Sequence, residues 1–165
     1  MIPDLEDKYP AYFIYGPLVF TAATKEFVGD LGDNNYNGWR SYFIRSGNPA
    51  IRAYNQKQRF DGEELVVVAS PFLPHKLTEG YSDPCGRAIL SVNGIAIKNL
   101  GHLVAVLRDA RGEFITIKFD GLENETLVFP RQEMLKATDE ILADNDIRSQ
   151  GSPEMMAVWN AKPVQ

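Results

Sequence analysis

The side chains best suited to proton transfer, nucleophilic attack or soft-metal binding are few here: two histidines, His75 and His102, and one cysteine, Cys85. Zinc needs three or four such ligands gathered at one point, so this set is too small for a zinc site. A cysteine nucleophile needs a base beside it. His75 and Cys85 could form such a pair, but "SDPCGR" reads as a loop in which a thiol is inert or merely oxidisable. No serine stands in a Gly-x-Ser-x-Gly or Gly-Asn-Ser-Gly-Gly setting that would present it as a nucleophile. "DNNYNG", Asp33 to Gly38, opens like a calcium loop, D-x-N-x-N-G. Its twelfth position, where a bidentate glutamate is needed, is Ile44. Asx-rich turns make the same pattern without metal. The expectation is a chain with no catalytic residues, no metal and no cofactor.

The stretch "AILSVNGIAIKNLGHLVAVLRDA", Ala88 to Ala110, is the most informative. An apolar strand runs into Asn93-Gly94, a strong tight-turn signal. A second short apolar run follows, and Asn99 is a suitable N-cap. Leu100, Leu103, Val104 and Leu107 then recur at helical spacing, Ala110 continues the face, and Gly112 suits a stop. Such an order predicts a strand, a tight turn, a second short strand and a helix.

The rest of the chain supplies elements to complete this core. "AYFIYGPLVFTAAT" is strand material broken by Gly16-Pro17, and "ELVVVASPF" is a buried-strand candidate. In "EFITIKFDG", Ile115, Ile117 and Phe119 alternate with polar residues. "ETLVFP" pairs back across Asp120–Asn124. Arg131 to Asn145 reads as a second helix with Met134, Leu135, Thr138, Ile141 and Leu142 on one face. Residues 1–10 form a lead-in, 11–148 the folded domain, and 149–165 a tail with little pattern. Residues 29–64 are a polar, turn-rich insertion, with a short strand at Ser41–Arg45.

Composition excludes several partners. The chain has 165 residues, 44% hydrophobic and 24% charged, enough for one domain with a sizeable core. Its net charge is −5 and no Lys/Arg block interrupts it, so it has no footprint for nucleic acid or an anionic membrane. No apolar run reaches the ~18 residues that a spanning helix needs. The opening "MIPDLEDKYP" is too acidic and polar for a secretory signal, and one cysteine forms no intrachain disulfide. The compartment stays open.

The block "LVVVASPFLPHKLTEGYSDPCGRAILSVNGIAIKNLGHLVAVLRDARGEFITIKF" resembles a PDZ domain in the permuted order of HtrA/Deg-type serine proteases. With "YFIYGPLVFTAATKEF", the insertion and the trailing helix, it is most similar to the second, C-terminal PDZ domain of Deg proteases. The resemblance implies an α+β fold: a small β-barrel or sandwich of five to six strands, capped by two helices, with the long insertion after the first strand.

It also implies a groove. The helix at Asn99–Ala110 would lie beside the strand that starts near Val19, and an extended peptide could add as a further strand between them. Tyr15-Gly16-Pro17-Leu18 falls where such domains cradle a terminal carboxylate with backbone amides, although Pro17 removes one donor. The peptide-binding set is Gly16, Pro17, Leu18, Val19, Phe20, Leu100, Leu103, Val104 and Leu107. Leu18, Phe20, Leu103, Val104 and Leu107 would line a side-chain pocket or simply be core. Three occupants are open: a free C-terminus, an internal strand, or the chain's own insertion or tail. His102 falls off the apolar face and reads as solvated.

Two functions follow. One is a non-catalytic regulatory module that binds peptide or unfolded-protein segments, or its own protease domain. The other is an assembly module joining copies through Tyr36, Trp39, Tyr42 and Phe43 of the insertion or Trp159 of the tail, aromatics being enriched at interfaces.

Overall fold

The structure, a computed structural model, describes residues 9–27, 47–49, 58–121 and 125–162. The expected strand at Ser41–Arg45, the Asp33–Gly38 motif, and Tyr36, Trp39, Tyr42 and Phe43 lie outside these residues. So does the rest of the insertion except 47–49 and 58–64.

The elements follow from local chemistry. Strands β1 (Tyr12–Tyr15) and β2 (Leu18–Ala22) form an antiparallel hairpin. The sequence reading took this stretch as one broken strand. Gly16 has φ +55°, while the ring of Pro17 holds its own φ negative. That combination suits a two-residue type II′ turn, whose twist matches the two strands it joins. The insertion therefore follows the second strand, not the first.

Strand β3 (Val66–Val68) is buried at every residue. After a short 3-10 turn (Lys76–Thr78) come β4 (Ala88–Val92) and β5 (Ile95–Ala96), joined by Asn93 (φ +49°) and Gly94 (φ +79°). Positive φ at both positions is the type I′ geometry that Asn-Gly favours. Asn93 also bonds across to Thr116, N–H to O at 2.8 Å, and its Oδ1 accepts from the Thr116 N–H at 2.7 Å.

Helix α1 (Leu100–Asp109) starts at the Asn99 N-cap, whose Oδ1 accepts from His102 N–H at 2.8 Å. Strands β6 (Phe114–Asp120) and β7 (Thr126–Pro130) form the closing hairpin, with Ile115, Ile117, Phe119, Leu127 and Phe129 turned inward. Helix α2 (Arg131–Asp144) follows at once.

Among the described residues seven strands share one antiparallel sheet, β1-β2-β3-β4-β6-β7, with β5 paired to β4. The α+β class holds, but the sheet is larger than the five to six strands expected, because the Gly-Pro hairpin supplies one more. Helix α2 packs against both β1 and β7, so the two ends of the strand order meet on one helix. Helix α1 packs against β1, β2 and β4.

Helix α3 (Pro153–Asn160) lies in the stretch expected to be a tail with little pattern. Proline at the first helical position suits its start, and it packs along α1. Asn48, within the insertion, is buried and donates from Nδ2 to Gly86 O at 2.8 Å, in the loop before β4.

Candidate functional site

The turn at Gly16-Pro17 is the first half of the expected groove. Its donor is already used: Gly16 N–H donates to Thr138 Oγ1 on α2 at 2.7 Å. The same hydroxyl donates to Met134 O at 2.8 Å, so one buried side chain is satisfied in both roles. Pro17 has no N–H, and its carbonyl accepts from Leu73 N–H at 2.9 Å. Tyr15 and Leu18 pair to close the hairpin. The loop thus directs its Gly16 amide inward, onto a side chain, and Gly16, Pro17 and Leu18 are all buried.

The strand is the second half. An added peptide needs a free backbone edge. Strand β2 has β1 on one side, with Phe13 opposite Phe20 and Tyr15 opposite Leu18. It has β3 on the other, with Phe20 opposite Val68. Strand β1 runs antiparallel to β2 and ends at the turn that precedes it. A ligand strand would run in that direction, with its end at that loop.

The outer edge of β1 is covered in turn. Ile14 N–H donates to Gln150 O at 2.8 Å, Ser152 N–H to Tyr12 O at 3.0 Å, and Gln150 Nε2 to Ile14 O at 2.9 Å. Gly151 forms a bridge to Phe13 and sits so close that an added Cβ would lie 2.9 Å from that ring.

The apolar residues named from the sequence do come together. Leu18, Phe20, Leu100, Leu103, Val104 and Leu107 join Phe13 and Tyr15 in one buried cluster. Of the nine groove candidates only Val19 is partly exposed. Trp159 of α3 covers this cluster, its ring 5.2 Å from Phe13 and 6.1 Å from Tyr15. The aromatic in the tail is therefore spent on its own domain. Sequence reasoning missed Phe13, Thr138 and Gln150–Ser152. "YFIY" and "LVF" flank a two-residue Gly-Pro link, which fits a broken strand as well as a hairpin, so the pairing of Phe13 carried only an ambiguous local signal. Thr138 and Gln150 are over 100 residues from their partners, and no local pattern marks them.

Among the described residues the two histidines and the cysteine lie apart from this cluster or at its rim, each with its own partners. His75 Nε2 lies 3.1 Å from Glu140 Oε2, and its Nδ1 accepts from Leu77 N–H at 3.2 Å, so neither nitrogen faces Cys85. The carboxyl of Glu140 is held below its usual value by that bond and by Lys136. Burial, helped by Asp83, pushes the Cys85 thiol up to about 11, which makes it a poor nucleophile at neutral pH. His102 is not the fully solvated residue expected. Its Nδ1 accepts from Lys98 N–H at 3.3 Å, and partial burial together with Lys98 lowers its pKa. Among the described residues no three His, Cys, Asp or Glu side chains gather to hold a metal, and no helix is long and apolar enough to cross a membrane.

One polar atom stands out. The Tyr15 hydroxyl is fully buried and has no hydrogen-bond partner among the described residues. Burial drives its pKa up to about 12, against a smaller opposing effect of Arg131. An unpaired buried hydroxyl costs roughly 1–3 kcal/mol by protein mutational data. Tyr15→Phe keeps the ring and removes the orphan. The expected result is a gain of about 1 kcal/mol, seen as a rise of about 2–4 °C in Tm for a domain of this size. A loss of stability would mean that the hydroxyl has found a bridging water.

Several known proteins are similar to this chain. Residues 2–154 match the family model of the PDZ domain. The chain is 26% identical over 147 residues to "Protease Do-like 2, chloroplastic" of Arabidopsis thaliana, a match covering 89% of this chain and 22% of that protein. It is 34% identical over 104 residues to "Serine protease DegP homolog" of Plasmodium falciparum, covering 61% of this chain and 10% of that protein. A third relative is "Putative protease Do-like 12, mitochondrial" of Arabidopsis thaliana, 26% identical over 145 residues, with 88% and 23% covered. The chain spans less than a quarter of the length of each of these relatives.

Proposed function

The chain belongs to the PDZ domain family, and from that premise we propose that it is a non-catalytic interaction module of a Deg/Do-like protease, with a peptide groove held closed by its own first strand. One observation carries this reading: β2 is paired on both edges, with β1 where an incoming strand would lie. Gly16, Pro17, Leu18, Val19, Phe20, Leu100, Leu103, Val104 and Leu107 then form a groove that accepts a strand, and the strand is internal. A chain end from another protein meets neither a free edge nor a free Gly16 amide.

Such a module acts on its protease by holding other folded surfaces rather than by capturing substrate ends. Those surfaces are the protease domain or further copies of the same protein. The insertion, with Tyr36, Trp39, Tyr42 and Phe43, carries aromatics suited to that contact.

An amide NMR titration with a pooled peptide library tests this, using both free and amidated C-termini. The expected result is no saturable shift in residues 16–22 or 99–110 at millimolar peptide, and a light-scattering mass above that of a monomer. Saturable shifts with free C-termini alone would overturn the reading in favour of terminal capture. Equal shifts with amidated peptides would favour internal-segment capture by displacement of β1.

A further inference from the structure

The covering of β1 comes from a single segment. Residues 149–160 make every backbone bond to the outer edge of β1 described above, and they also form α3. The two are tied together at Ser152. As N-cap of α3 its side chain makes no capping bond to the helix; its Oγ instead accepts from Tyr12 N–H at 3.4 Å. The helix start is therefore fastened to the strand.

Helix α3 is weakly held for its position. It has eight residues, none of them fully buried. A helix that short is not stable alone in water, so it exists only while docked. Met155, Met156, Val158 and Trp159 are each partly buried against the core. One polar anchor, Arg108 Nη1 to Val158 O at 2.6 Å, holds its last turn to α1. Gly101 of α1 faces the Met155 methyl loosely: an added Cβ there would lie an ordinary 4.0 Å from it. By contrast the residues under it, Phe13 and Tyr15, are fully buried. A thin cover thus protects a deep site, and elements of low burial are the first to open locally.

We propose that residues 149–160 are a releasable lock on β1, so that undocking of α3 is the event that frees the strand site. This rests on the closed-groove reading and adds how that groove opens. When α3 melts, Trp159 leaves Phe13 and Tyr15. The Gln150–Ser152 bonds then lose the helix that anchors them. Strand β1 remains held by β2 and by its buried side chains alone. A partner that takes up the Met-Met-x-Val-Trp face of α3 would open the groove from a distance.

The test is hydrogen exchange by NMR on the full chain, as wild type, Trp159→Ala and Arg108→Met. In both variants the Ile14 and Ser152 amides are expected to exchange at least tenfold faster. The Val68 and Asn93 amides, which bond Arg87 O and Thr116 O in the sheet, keep their wild-type rates. The free peptide Ala-Tyr-Phe-Ile-Tyr then perturbs residues 18–22 in the variants and not in the wild type. Unchanged Ile14 exchange, or equal acceleration at Ile14, Val68 and Asn93, would overturn the lock. Should Trp159→Ala unfold, Arg108→Met alone decides. Peptide binding to the wild type would overturn the closed groove while leaving the exchange comparison to judge the lock.

Discussion

Gly16→Ala is expected to destabilise the domain by about 2–3 kcal/mol, from two separable causes. The first is backbone strain. Gly16 sits at φ +55°, where an L side chain crowds its own carbonyl at a cost of roughly 1–2 kcal/mol. The second is steric: a Cβ here would lie 2.6 Å from Met134 Sδ and 2.8 Å from its Cε. Those atoms end a flexible side chain, but Met134 is fully buried, so its movement disturbs the core, roughly another 1 kcal/mol. The same shift loosens the Gly16–Thr138 bond. Gly80→Ala is the control, since Gly80 has φ +85° and nothing within 4 Å of an added Cβ. Urea unfolding of both variants separates the causes. Equal losses would mean that Met134 yields freely and that strain alone makes Gly16 a glycine.

Phe13→Ala is expected to cost more, about 3–5 kcal/mol, the usual range for deleting a buried phenylalanine ring. Phe13 is fully buried, lies opposite Phe20, meets the Trp159 ring at a tilt of 48° and sits against Gly151. No neighbour can collapse into its place without breaking one of those contacts, so the cavity stays open and the upper part of the range applies. Trp159 loses a ring partner, and its fluorescence is expected to shift to the red in the folded variant. Val128→Ala serves as comparison: Val128 is 41% exposed on β7, and its loss should fall within about 0.5 kcal/mol. A Phe13→Ala loss of similar size would mean that β1 is not part of the core.

The parts of this fold that local chemistry encodes were the parts legible in the sequence. Asn93-Gly94 sets two positive φ values by itself, and Asn99 caps α1 with its own side chain, so the β4–β5 corner and the helix were visible without a partner. The alternation in β6 likewise belongs to one strand. Gly16-Pro17 was harder: the same two residues break a strand or turn a hairpin, and only the pairing of Phe13 with Phe20 decides. Helix α3 does carry Met155, Val158 and Trp159 at i, i+3 and i+4, but eight residues give barely two turns of pattern, and it forms because α1 and Phe13 receive it. At the site, Leu18, Phe20, Leu103, Val104 and Leu107 are the residues either a peptide groove or a closed core would use. Occupancy depends on which strand lies beside β2, and that is a long-range fact.

The two-residue link between β1 and β2 has a quantitative side. On the closed-groove reading, β1 competes with dissolved peptide from within the chain, at an effective concentration that is greatest when the tether just matches the span, as a two-residue turn does here. Suppose β1 is undocked in about one molecule per thousand. A chain end whose intrinsic Kd for the open groove is about 1 μM is then measured at about 1 mM, since apparent affinity scales with the competent fraction. Abundant passing termini are rejected by arithmetic rather than by shape, and the length of one turn sets the threshold.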